Sequence, residues 1–186
     1  MKMLALVILV ASFARGSSAQ EAPSPYRGQE GREIKALSVE EINSLQGGEG
    51  MGLAKAAELN GYPGPKHVLE LAEALELSEE QRARTREAFD RMQEKAVALG
   101  SAIVGKERAL DRMFRDRVVD REKLEAAVHE IANLQGRLRL AHLEAHLELE
   151  SVLNHDQIAR YIGLRGYHDP SQHHHSKKHD FERDTS

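Results

Sequence analysis

Two histidines four residues apart, His142 and His146, stand in the stretch AHLEAHLELESVLNHDQ. On a helix, residues at this spacing are surface neighbours, so two imidazoles can chelate one ion. Glu150 continues the same ladder one turn further on. Asp90 and Glu94 form a second pair at the same spacing, and a chain reversal near Val118 would set them opposite the histidines. Two imidazoles facing two carboxylates would suit zinc, copper, nickel or cobalt. Taking Leu138 as the centre of the packed helix face, His142 lies about 40° and His146 about 80° from it. That expectation places both on a half-buried rim. The same placement allows a plainer role, an imidazole donating a hydrogen bond to a carboxylate such as Asp90, and both readings stand.

A second histidine signal is the terminal run HDPSQHHHSKKHDFERDTS, with His173, His174, His175 and His179. Such a tail is too polar to build a core, yet it can capture soft divalent ions weakly without folding. Motifs for catalysis are missing. The sequence holds no cysteine, no Gly-rich phosphate loop and no nucleophile elbow. The carboxylates are numerous but fall on charged helical faces, where solvation is the default reading.

These residues need long helices to hold them, and the patterning supplies such helices. Aromatics make up 4% of the 186 residues and charged residues 30%, so the core must be aliphatic and the helices long and solvated. Residues 20–64 read as a leader with two short helices. The first is capped by Ser38 with Glu41 and closed by Gly47-Gly48; the second covers about Gly52 to Asn60, with Gly61 as a left-handed end. After the rigid break Tyr62-Pro63-Gly64-Pro65, a helix with Val68, Leu71, Ala72 and Leu75 on one face is expected to run to Leu77. Ser78 then caps a long helix whose seam is Phe89, Met92, Ala96, Leu99, Ile103, Leu110 and Met113, with local bending at Gly100 and Gly105. Asp120 caps the return helix, with Leu124, Ala127, Ile131, Leu134, Leu138, Ala145, Leu149 and Val152 as its seam. Two long helices with a short connection should form an antiparallel hairpin. The return helix carries a second stripe, Leu140, Leu143 and Leu147, nearly opposite Leu138. Either a second copy of the chain or the short flanking helices must cover it. Asn154 caps a last short helix.

The chain opens with MKMLALVILVASFARGSSAQ. Lys2, an apolar run of about 11 residues and the small residues Ser17-Ser18-Ala19 read as an export signal over residues 1–19, cleaved after Ala19. Retention as an anchor is the alternative. Cleavage leaves 24 basic against 30 acidic residues, a formal charge of −6, which disfavours nucleic acid and anionic lipid as partners.

The pentads Leu77-Ser78-Glu79-Glu80-Gln81 and Leu153-Asn154-His155-Asp156-Gln157 each follow an apolar helix and open another. This pair resembles the paired LTxxQ motif of the Spy/CpxP family, which includes ZraP-like zinc proteins and CnrX-like heavy-metal sensors. The likeness covers about residues 65–167, with Asn154 where the family prefers threonine. It implies an all-α fold of four main helices forming a cradle-like dimer in the periplasm. CnrX-like sensors place a histidine pair in the first helix, a carboxylate in the second and His-x-x-x-Met in the third. Here His67 resembles one of the first pair, with Leu71 in the place of the other. Asp90 lies one residue from the carboxylate position. His146 lies near the third-helix histidine, and Glu150 takes the methionine's slot. Members of the family divide among metal binders, inhibitors of a membrane-bound sensor kinase and ATP-independent chaperones. The expectation is a non-enzymatic, periplasmic heavy-metal or envelope-stress protein with a divalent transition metal. The alternative is a holdase whose Leu140/Leu143/Leu147 surface meets a second copy or unfolded clients.

Overall fold

The computed structural model describes residues 23–167. The segment expected to be an export signal and the histidine-rich tail, with His173, His174, His175 and His179, lie outside the described residues. Among those described, six helices and no strand occur: α1 Val39–Gln46, α2 Lys55–Glu58, α3 Pro65–Glu70, α4 Glu79–Arg115, α5 Arg121–Val152 and α6 His155–Leu164. The protein is all-α. The described residues 23–31 belong to a small unit of their own, with a turn in which Arg27 N–H donates to the Ser24 carbonyl. Residues 32–167 are one unit.

Caps set most helix starts. Ser38 with Glu41, Ser78 with Gln81 and Asn154 with Gln157 each form a reciprocal capping box. The Asp120 side chain accepts from Lys123 N–H at the start of α5. The ion pairs Arg91–Glu148 (2.6 Å), Lys95–Glu144 (3.8 Å) and Lys106–Glu130 (2.6 Å) join α4 to α5. Partner numbers fall along α5 as they rise along α4, so the two helices run antiparallel.

The interior has two apolar clusters. One gathers Val68, Leu75, Ala88, Leu149, Val152 and Tyr161 around the two pentads. The other gathers Ile34, Leu45, Ala96, Ile103, Val104 and Leu138. Ile34 and Leu45 precede residue 65, so residues 32–64 are part of the helical body and not a leader set apart from it. The reason is close packing at Gly100. A Cβ there would lie 1.8 Å from the Leu45 carbonyl oxygen, so the bare glycine lets the end of α1 sit directly on α4. From its place in the helical pattern, Gly100 predicts only a local bend.

α3 also departs from expectation. It ends at Glu70, and turns follow to Glu76, whose φ is +53°. Leu75 (0% exposed) and Leu77 (7%) both enter the core. Two residues apart on a helix they would point about 200° from each other, so the chain must turn to bury both.

Candidate metal centre between two apolar clusters

The face of α5 that packs inward is Ile131, Leu138, Ala141, His142, Ala145, His146, Leu149 and Val152. The histidines thus fill the gap between the two apolar clusters. They are 4% and 9% exposed, inside the body and not on a half-buried rim. What buries them is the segment between α1 and α3, which the helical pattern could not place. Residues of that segment, of α4 and of α5 line a cavity of about 650 Å³. His142, His146 and His67 lie on its wall, with Met92, Phe89 and Gln93 from α4 and Glu58 from α2.

His146 is held from the side of that segment. Its Nδ1 lies 2.8 Å from the Tyr62 carbonyl oxygen. A carbonyl only accepts, so Nδ1 carries a proton, which leaves Nε2 as the ring nitrogen able to offer a lone pair. A backbone carbonyl fixing one ring nitrogen is the usual support of a metal-binding histidine. Gly64 makes room for this ring: a Cβ at position 64 would lie 2.8 Å from Cε1 and 3.0 Å from Nε2. The φ of Gly64 is −87°, so closeness to the ring, not backbone conformation, calls for glycine.

His142 is different. Its Nε2 is buried and has no hydrogen-bond partner. Burial, aided by the neighbouring His146, pushes its pKa below the ordinary histidine value. The ring is therefore neutral at pH 7, the form that ligates metal.

Glu58 organises the far side. Its Oε1 accepts from the hydroxyls of Tyr161 (2.7 Å) and Tyr167 (3.2 Å) and from Arg165 Nε (3.2 Å). Its Oε2 is buried without a hydrogen bond and lies 3.7 Å from His146 Nδ1. Burial and the Glu58 hydrogen bond push the Tyr161 pKa up, so this phenol stays protonated. Tyr161 also accepts from Gly64 N–H at 3.3 Å.

The other candidate ligands fall elsewhere. Asp90 and Glu94 are exposed and do not line the cavity, because they sit about 160° around α4 from Met92, which does. Glu150 is exposed. His67 lines the cavity, but its Nδ1 is 2.8 Å from Glu70 Oε2. Among the described residues, no three side chains of histidine, aspartate or glutamate meet at coordination distance. The structure brings together His142 and His146, sets His67 on the same wall, and adds Glu58, Tyr62, Gly64 and Met92. Met92 was legible only as a seam residue. Glu58 ends the short α2 and Tyr62 follows the turn after it, and neither carries a periodicity that would flag it.

The pentad residues form a second buried polar site. Gln81 Nε2 donates to Gln157 Oε1 (2.8 Å) and to the Val152 carbonyl (3.0 Å). Gln157 Nε2 donates in return to Gln81 Oε1 (3.0 Å) and to the Leu75 carbonyl (3.2 Å). Each Oε1 also accepts the N–H of its own cap residue, Ser78 or Asn154. Leu77 and Leu153 are buried beside them. Compared with protein-family models, curated proteins and solved structures, the chain matches none of them.

Proposed function

We propose that this is a non-enzymatic, exported metal-binding protein of the heavy-metal or envelope-stress type. His142 and His146 would be the protein ligands, and the Spy/CpxP likeness of the two pentads is the family reading that accompanies the proposal. The observation that carries it is the histidine pair itself. Two adjacent imidazoles lie in the core on a cavity wall, one with its tautomer fixed by Tyr62 and one with an orphan nitrogen. A buried unsatisfied polar atom costs about 1–3 kcal/mol. A purely structural core would gain by replacing it with leucine. The residues fit a metal ion: the ion would satisfy the orphan lone pair of His142 and, through His146 and its Tyr62 hydrogen bond, tie α5 to the segment before α3. A membrane-bound regulator could then read that geometry.

The test is ion binding by the full chain with His173, His174, His175 and His179 changed to alanine, which removes capture by the tail. Tight binding of one transition-metal ion per chain that is lost in His142→Ala/His146→Ala supports the proposal. Equal binding by that double variant contradicts it.

One observation favours the chaperone reading beside it. Leu140 and Leu147 are 53% and 61% exposed, and Leu143 is half-buried, so no described helix covers this stripe. Leu140 also borders a shallow groove with Leu99, Ala102, Leu134 and Ala141. An apolar patch of this kind would serve a cradle-like homodimer or unfolded clients. Suppression of client aggregation without metal, lost in Leu140→Ser/Leu147→Ser, would favour that reading.

A further inference from the structure

The donors that line the cavity differ from those expected of a divalent site. The carboxylates nearby are committed elsewhere or turned away. Glu144 and Glu148 pair with Lys95 and Arg91. Asp90, Glu94 and Glu150 are exposed and off the wall. Glu58 is the exception: it lines the cavity with its Oε2 unpartnered, but that oxygen sits beside His146 Nδ1, not the ligating Nε2, and Arg165 bonds Oε1 and offsets the charge. The charged side chains of the wall are Lys55, Lys66 and Arg165 against Glu49 and Glu58, an excess of one positive charge.

The soft donors, in contrast, belong to the cavity wall. Met92 is 9% exposed and lines the cavity with His142 and His146. The pairs Arg91–Glu148 and Lys95–Glu144 set the register of α4 against α5, and that register puts Met92 level with Leu147, one residue from His146. Met51 lines the same cavity.

Resting on the metal-binding reading above, we infer that the ion held by His142 and His146 is monovalent copper, with the Met92 thioether as its third ligand. Two physical arguments carry this. Imidazole and thioether are neutral, so nothing in the ligand set balances a double charge. The desolvation cost of an ion rises with the square of its charge, so copper(I) costs about a quarter of what a divalent ion of equal size would. Thioether sulfur also selects copper(I) over the harder divalent ions. Copper(I) accepts two or three ligands, whereas zinc asks for about four.

The test uses the full chain with the four tail histidines changed to alanine, titrated anaerobically with copper(I) against a chromophoric chelator and separately with zinc(II). X-ray absorption of the copper-loaded protein reads the ligands. The expected result is one copper(I) per chain with a copper–sulfur scattering path. Met92→Leu, which keeps the core volume, removes that path and weakens copper(I) about tenfold. Zinc(II) binds no tighter than about 10 μM and is indifferent to Met92→Leu. Sub-micromolar zinc(II) lost with His142 and His146, or copper(I) without a sulfur ligand, overturns this inference and leaves the metal reading standing. Capture of neither ion overturns both.

Discussion

Two polar pairs sit where the helices of this protein meet, and they are finished in opposite ways. Gln81 and Gln157 use all four hydrogen-bonding positions of each amide on each other, on their own caps and on the carbonyls of Leu75 and Val152. His142 and His146 are both buried, whereas Gln81 is only half-buried, yet His142 Nε2 and the neighbouring Glu58 Oε2 have no partner. A closed network fixes a fold; an open one leaves chemistry to be supplied. The contrast sets the glutamines within the architecture and supports the proposal that the histidines bind a ligand.

The largest expected effect breaks the closed pair. Gln157→Leu strands the Leu75 carbonyl, the Asn154 N–H and half of the Gln81 amide, and should cost about 4 kcal/mol in urea unfolding. Gly100→Ala drives a methyl into the Leu45 backbone and should cost about 2–3 kcal/mol in the same assay. Gly64→Ala should cost less, about 1–2 kcal/mol, while displacing the His146 ring and abolishing ion binding.

A smaller effect of opposite sign sharpens the comparison. His142→Leu removes an orphan polar atom and should stabilise the ion-free protein by about 1 kcal/mol. The same variant tests the pH dependence. The folded-state pKa of His142 lies below its unfolded value, so the unfolded chain binds the proton better. Stability from this group is complete above about pH 6.5 and is lost as pH falls below it toward the folded pKa, at up to about 1.4 kcal/mol per pH unit. Unfolding measured from pH 7.5 to pH 5 should show that slope in the natural chain and a flatter one in His142→Leu.

The helical frame was largely legible in the sequence. Ser78, Asp120 and Asn154 cap where their types and spacing say, because local hydrogen bonds decide a helix start. α5 ends at Val152, as its apolar pattern indicates. The pattern also marked His142 and His146 as a pair. It could not supply what covers them, because residues 47–64, apart from the one turn of α2, owe their path to long-range contacts. Glu58 meets Tyr161 and Arg165, Tyr62 meets His146, and Gly48 packs on Val97 and Gln93. The carboxylate partners failed for a related reason. A match in level along two helices says nothing of rotation about their axes, and rotation turns Asp90 and Glu94 to solvent.

The most direct measurement compares ion-induced stabilisation in His142→Leu and Gln157→Leu, each in the full chain with the four tail histidines changed to alanine. Urea unfolding with and without one equivalent of copper(I) gives the increment. The account predicts that Gln157→Leu is much less stable yet gains as much from the ion as the natural core does, while His142→Leu is at least as stable and gains nothing. A His142→Leu protein that loses about 2 kcal/mol or more and still responds fully to the ion would contradict it.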